Sequence, residues 1–242
     1  MARYAISDIH GCLRTFKKAL FEVKFSKDDT LILIGDYIDR GLDSKGVVDH
    51  IIALQDDGYN IIPLKGNHED FLLTAADNIG TYRSWMWNGG RQTLSSYGYD
   101  PYNAGELGKL NDWVTYIPQR HWDWYKDLCV IYVDADYVFV HGGLDFHQDD
   151  PINETTDEQA LWNRIYRIPG NKRREIIGNR ILVTGHTPTD KDTMCEMTQG
   201  EDLITIDRGC VFNSSEYGHL AIINLEDKQI RFIKNIDLLD RD

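Results

Sequence analysis

Nowhere does the chain approach the roughly 18 consecutive apolar residues a membrane-spanning helix needs, and its mean hydropathy is −0.44. Positive charge is also scarce. Lys and Arg number 26 against 39 Asp and Glu, a formal charge of −13, the wrong sign for a surface that neutralises nucleic-acid phosphates by charge. Neither a nucleic acid nor a membrane is therefore expected as a partner, and any phosphate binding has to be local. The four cysteines (Cys12, Cys129, Cys195 and Cys210) make no CxxC pair, so zinc-ribbon and dithiol redox chemistry have no sequence basis. The chain also lacks a G-x-x-x-x-G-K-[ST] loop, and no cysteine has an arginine at the five-residue spacing of thiol phosphatases, which argues against kinase, GTPase and cysteine-nucleophile readings. Met1-Ala2-Arg3-Tyr4 passes straight into a strand-like run without a charged leader, and position 2 is not glycine. A reduced cytoplasmic protein is the expectation.

What is present is a globular balance over 242 residues, 42% hydrophobic and 27% charged. That is enough to bury a real core. No repeat, low-complexity tract or Gly/Pro/Ser linker divides the chain, so one domain over 1–242 is expected. Arg3 to Ser7 reads as a strand, followed by Leu13, Phe16, Leu20 and Val23 at helical spacing. Leu31 to Ile34 and then Val47, Val48, Ile51, Ile52 and Leu54 repeat the pattern, with Asp43 or Ser44 as the cap, and Ile61, Ile62 and Leu64 begin a third round. Alternating strands and helices predict an α/β fold with functional groups at the carboxyl ends of strands. Residues 80–125 hold five of the six tryptophans (Trp85, Trp87, Trp113, Trp122 and Trp124) with weak strand signals, and read as a helical insert. Further strands are expected at 129–133, 138–140, 181–183, 203–206, 220–223 and 230–233, with Asp134-Ala135-Asp136 as a hairpin turn.

Polar residues gather where the apolar runs stop: Asp8-Ile9-His10-Gly11, Gly35-Asp36-Tyr37-Ile38-Asp39-Arg40-Gly41, Gly66-Asn67-His68-Glu69, His141-Gly142-Gly143 and Gly185-His186-Thr187. A single Asp or His after a strand is usually a turn former. Together, Asp8, His10, Asp36, Asn67, His141 and His186 offer carboxylate, amide and imidazole donors. That set suits Mn²⁺, Fe or Zn²⁺ better than an all-oxygen Mg²⁺ or Ca²⁺ site. With one bridging carboxylate, six side chains can hold two metals.

The order D-x-H-G, G-D-x-x-D-R-G, G-N-H-E, H-G-G, G-H-T resembles the phosphoprotein phosphatase family of calcineurin-like metallophosphoesterases, and most of all its compact bacterial and phage serine/threonine phosphatases, from residue 5 to about 215. The resemblance implies a four-layer αββα fold, two mixed β-sheets packed face to face with helices outside. It implies that Asp8 and His10 bind one metal, that Asn67, His141 and His186 bind a second, and that Asp36 bridges them, most simply as a pair of Mn²⁺ ions that activate water for direct in-line hydrolysis. His68 is then the general acid and Asp39 orients it. Arg40 and Arg164, the latter in Trp162-Asn163-Arg164, clamp the phosphate together with Asn67. The implied substrate is a phosphorylated protein or peptide. The loop at Ile206 to Phe212 lacks the tyrosine-bearing segment of the large eukaryotic relatives, and without their extensions no regulatory subunit is expected.

Three alternatives compete. Bacterial bis(5'-nucleosyl)-tetraphosphatases share the metal core but resemble G-D-L-V-A-R-G, with alanine where Asp39 stands. A non-catalytic phosphate-binding scaffold would bind metal without turnover. The run around Asp134 and Asp136 resembles the D-x-D-x-V nucleophile motif of haloacid-dehalogenase-type phosphatases, but the chain returns at once to an apolar run, as a hairpin does. His50, His121, His147 and His219 lie outside the motifs and read as ordinary surface or core residues.

Overall fold

The computed structural model describes residues 1–101, 112–164 and 174–237. Strands β1 (Arg3–Ile6), β2 (Thr30–Leu33) and β3 (Asn60–Pro63) are parallel, linked by helices α1 (Leu13–Glu22) and α2 (Ser44–Asp56). The antiparallel strands β8 (His219–Asn224) and β9 (Ile230–Lys234) complete a five-stranded sheet of order β3-β2-β1-β8-β9. A second sheet orders β4 (Ile131–Val133), β5 (Tyr137–Val140), β6 (Ile181–Thr184) and β7 (Leu203–Thr205), antiparallel at β4 and parallel thereafter.

Side chains alternate across both sheets, as a strand's period of two requires. Ala5, Ile32, Ile34, Tyr137, Phe139, Ile181, Val183 and Ile223 face inward and form the core between the sheets. Ile6, Leu31, Leu33 and Ile222 point to the other face, against Phe16, Val47, Val48 and Ile51 of α1 and α2. Val138, Val140 and Leu182 face a smaller outer layer with Leu144, Phe146 and Ala160. The result is the two-sheet metallophosphoesterase architecture with flanking helices.

Asp43, rather than Ser44, caps α2 by accepting from the Gly46 N–H at 2.8 Å. Strand β4 begins two residues later than its apolar run suggests, because Cys129 pairs instead with Leu64 beyond β3, its carbonyl accepting from Lys65 N at 2.8 Å. The segment between the sheets carries α3 (Asn67–Ala75), α4 (Ile79–Trp85), a kink at Met86–Gly90 where Gly89 takes φ 112°, α5 (Arg91–Ser96), a 3₁₀ turn at Asp112–Tyr116 and α6 (Gln119–Lys126). Of the expected 80–125 insert, 102–111 lie outside the described residues. The remaining helices are α7 (Pro151–Glu154), α8 (Asp157–Trp162) and α9 (Lys191–Gln199). Among the described residues, no helix is long and apolar enough to cross a membrane.

Gly35 shows how tightly the loops at the strand ends approach. It sits at φ +81°, and a Cβ there would meet the Gly66 backbone at 2.5 Å. Gly35→Ala is therefore expected to cost about 3 kcal/mol or more, since neither the dihedral nor the neighbouring backbone can yield cheaply. A thermal melt that matches the wild type would contradict this.

Candidate metal centre

The parallel strands bring their carboxyl ends to one edge of the sandwich. Asp8 follows β1 by two residues, Asp36 follows β2 by three, Asn67 opens α3 after β3, His141 directly follows β5 and His186 follows β6 by two. The two sheets meet at this edge, where the His186 backbone N–H donates to Asp8 Oδ2 at 3.0 Å. Sharp turns are needed here, and Asp8, His10, Asp36, Asp39, Arg40 and His186 all take left-handed backbone, with φ between 45° and 74°. Such conformations cost energy in non-glycine residues, and they gather at functional sites.

Asp36 is the hub. Its Oδ2 lies 3.6 Å from His10 Nε2, 3.4 Å from His141 Nε2 and 3.8 Å from His68 Nε2. Among the described residues, two groups of side chains have donors that converge closely enough to hold an ion: His10, Asp36 and His68, and Asp36, His141 and His186. Asp8 adjoins the first group, 4.0 Å from His10 Nε2, and accepts from the Ser7 hydroxyl. Asn67 Oδ1 lies in the second, 2.9 Å from His141 Nε2 and 3.0 Å from His186 Nδ1.

The donor chemistry fits cations. His10 Nδ1 donates to Ile38 O and His141 Nδ1 to Ile34 O, each at 2.7 Å, which turns the Nε2 lone pairs inward. An imidazole lone pair, an amide oxygen and a carboxylate facing one another at these distances require positive charge between them. Burial disfavours charge on His141, yet Asp36 and Asp8 override it and push the imidazole up to about 10. Burial and the His141 charge hold His186 down at about 3, a neutral imidazole, and its Nε2 is buried without a partner. Burial and Asp36 raise Asp8 to about 6. Two His/Asp groups sharing Asp36 match the dinuclear sites typical of such folds.

His68 is built differently. Its Nδ1 donates to Asp39 Oδ2 at 2.6 Å. Burial works against its protonation, but Asp36 and Asp39 prevail and raise it. Arg40 spans both rings, its guanidinium nitrogens 2.7 Å from His10 Nε2 and 2.9 Å from His68 Nε2. Arg164 is exposed two residues beyond the end of α8, and its charge acts on His186.

Several contributors escaped the motif reading. Trp85 Nε1 donates to both Asp39 oxygens, at 3.0 and 2.8 Å, and Thr93 Oγ1 donates to Oδ1 at 2.5 Å. The buried Glu69 carboxylate accepts from the backbone N–H groups of Gly66, Asp36 and Tyr37 at 2.8–2.9 Å and so fixes the loop bearing Asp36. Burial and the Asp36 charge push Glu69 up to about 7, against donors that favour its carboxylate.

The rival nucleophile lies elsewhere. Asp134 occupies the β4–β5 turn, accepts from Asp136 N and Tyr137 N, and pairs with Arg3 at 2.8 Å. Asp134→Asn is expected to leave kcat within twofold and to cost at most about 1 kcal/mol, the scale of a partly exposed ion pair. Loss of turnover would restore the aspartyl-phosphate alternative.

Comparison with known proteins gives the family. The chain is 31% identical over 145 residues to the symmetrical bis(5'-nucleosyl)-tetraphosphatase of Nitrosospira multiformis, covering 60% of this chain and 44% of that protein. It thus spans less than half the length of that relative. It is 28% identical over 190 residues to serine/threonine-protein phosphatase 1 of Salmonella typhimurium, covering 76% and 78% of the two chains. A crystal structure described as a putative diadenosine tetraphosphatase superposes with a TM-score of 0.58 at 18% identity, over 96% of this chain and 92% of that one, a likeness of fold. A family model for calcineurin-like phosphoesterases matches residues 1–220. That match covers most of the sequence, and the chain belongs to the calcineurin-like phosphoesterase family.

Proposed function

We propose that this metal-dependent phosphoesterase is a phosphomonoesterase acting on phosphorylated protein or peptide. One ion is held by Asp8, His10 and Asp36, and a second by Asp36, Asn67, His141 and His186. Mn²⁺ is the first choice, with Fe or Zn²⁺ on the same donors. When bound, two such ions supply Lewis acidity to phosphoryl oxygens and lower the pKa of water.

The chain's own residues do the rest. The Arg40 and Arg164 guanidinium groups and the Asn67 amide hold the phosphoryl group. His68 carries a proton at Nε2 for the departing oxygen, and Asp39 fixes the tautomer and favours the charged ring. The Asp39–His68 contact of 2.6 Å carries this reading. A serine or threonine oxygen leaves as a strongly basic alkoxide and needs a proton. The leaving phosphate of a phosphoanhydride is already acidic and has little use for a buried, raised imidazole.

A second reading, symmetrical cleavage of a dinucleoside tetraphosphate, has the names of relatives in its favour: tetraphosphatases outnumber the protein phosphatase among the curated proteins the chain resembles. The deciding experiment measures product release from a phosphoserine peptide and from diadenosine tetraphosphate by metal-stripped protein as Mn²⁺ is restored. Preference for the peptide supports the monoesterase. Preference for the dinucleotide refutes it and installs the second reading, and Mn²⁺ binding without turnover of either leaves the scaffold.

A further inference from the structure

Beside the polar centre runs a continuous line of four rings. His68 meets Phe71 with centroids 6.0 Å apart, Phe71 meets Trp162 at 5.2 Å, and Trp162 meets His186 at 5.8 Å, each pair edge to face at 78–84°. Phe71 follows His68 by three residues on α3 and so lies on the same side of the helix. Trp162 ends α8 two residues before Arg164 and is 41% exposed. The two apolar rings therefore bridge the imidazoles of His68 and His186, with indole surface left open to solvent.

We propose that Phe71 and Trp162 form a shelf that seats the aromatic ring of a phosphotyrosyl side chain, which rests on the phosphomonoesterase reading above and adds a preference for aryl over alkyl esters. In an aryl ester the ring is bonded directly to the bridging oxygen, so it lies within one ring's reach of His68. A serine or threonine ester presents only one aliphatic carbon there and leaves the shelf uncovered. A nucleobase in a symmetrically cleaved tetraphosphate is separated from the scissile phosphorus by a further phosphate and a ribose, which carries it past rings in contact with His68 and His186. In the reaction the P–O(aryl) bond breaks, a water oxygen forms the new bond to phosphorus and loses a proton to solvent, and the phenolate oxygen takes its proton from His68. Aromatic pair contacts of ordinary strength correspond to roughly a twofold to tenfold effect on binding.

The test compares kcat/KM of Mn²⁺-loaded protein on matched phosphotyrosine and phosphoserine peptides for wild type, Trp162→Ala and Trp162→Phe, together with inhibition by phenylphosphonate and methylphosphonate. Trp162→Ala should lower the phosphotyrosine-to-phosphoserine ratio about fivefold, mainly through KM, and weaken phenylphosphonate more than methylphosphonate. Trp162→Phe should recover most of both. An unchanged ratio would overturn the shelf and reduce the rings to packing for His68 and His186. A selective loss on diadenosine tetraphosphate would overturn it in favour of a base platform. Failure of the underlying reading shows separately, as wild-type protein that binds Mn²⁺ and turns over neither peptide.

Discussion

His68→Asn lowers kcat on a phosphoserine peptide by roughly 10² to 10⁴, the usual contribution of a positioned general acid, while Mn²⁺ binding persists. The ring belongs to the first donor group and not the second, and its Nδ1 is committed to Asp39 at 2.6 Å. On p-nitrophenyl phosphate, whose leaving group is a weak base, the loss is much smaller. That contrast distinguishes proton delivery from general damage, because a collapsed site loses both substrates alike. Equal losses would remove His68 from the role of acid. Loss of Mn²⁺ binding in the variant would make it a ligand instead, an outcome its proximity to His10 and Asp36 makes worth measuring.

The second large effect concerns Asp36, whose Oδ2 faces imidazoles of both groups. Asp36→Asn keeps a side chain that tolerates φ 55° but removes the charge the two ion positions share. Turnover is expected to fall by at least about 10³, because under the proposed assignment one carboxylate serves both ions. Stability carries an independent signature. Mn²⁺ at about 100 times its Kd adds about 2.7 kcal/mol to the wild-type protein, roughly 5–10 °C in Tm for a chain of this size, and the variant loses most of that rise. A full-sized shift in Asp36→Asn would place the metals elsewhere.

The clustering of these donors was legible because each candidate stands at the end of an apolar strand, where periodicity stops and a turn must begin. Asp8, His10, Asp36, Asn67, His141 and His186 come from five such ends, and parallel pairing carries those ends to one edge. The hairpin at Asp134 to Asp136 was legible for the same local reason. The supports of Asp39 were not. Trp85 and Thr93 lie 46 and 54 residues away, on short helices whose approach to the β2 loop leaves no period in the sequence. The tryptophan-rich stretch reads as core packing, which holds for the buried Trp113 and Trp122; Trp85 is also buried but serves as a hydrogen-bond donor, and Trp87 is 84% exposed. Glu69 sits inside a recognised motif, yet its work for the loop 33 residues back becomes visible only once two strands are side by side.

The left-handed backbone at Asp8, His10, Asp36, Asp39, Arg40 and His186 bears on how this edge is best dissected by mutation. Alanine at these positions removes a functional group and at the same time adds a conformational penalty, since its Cβ resists positive φ where aspartate and histidine gain from local hydrogen bonds. Glycine removes the group and accepts the dihedral. An alanine scan would thus merge misfolding with lost chemistry along the whole edge, whereas a parallel glycine scan separates them: positions where glycine keeps the melting temperature and alanine does not are held by geometry, and positions where both silence the enzyme at full stability are held by chemistry.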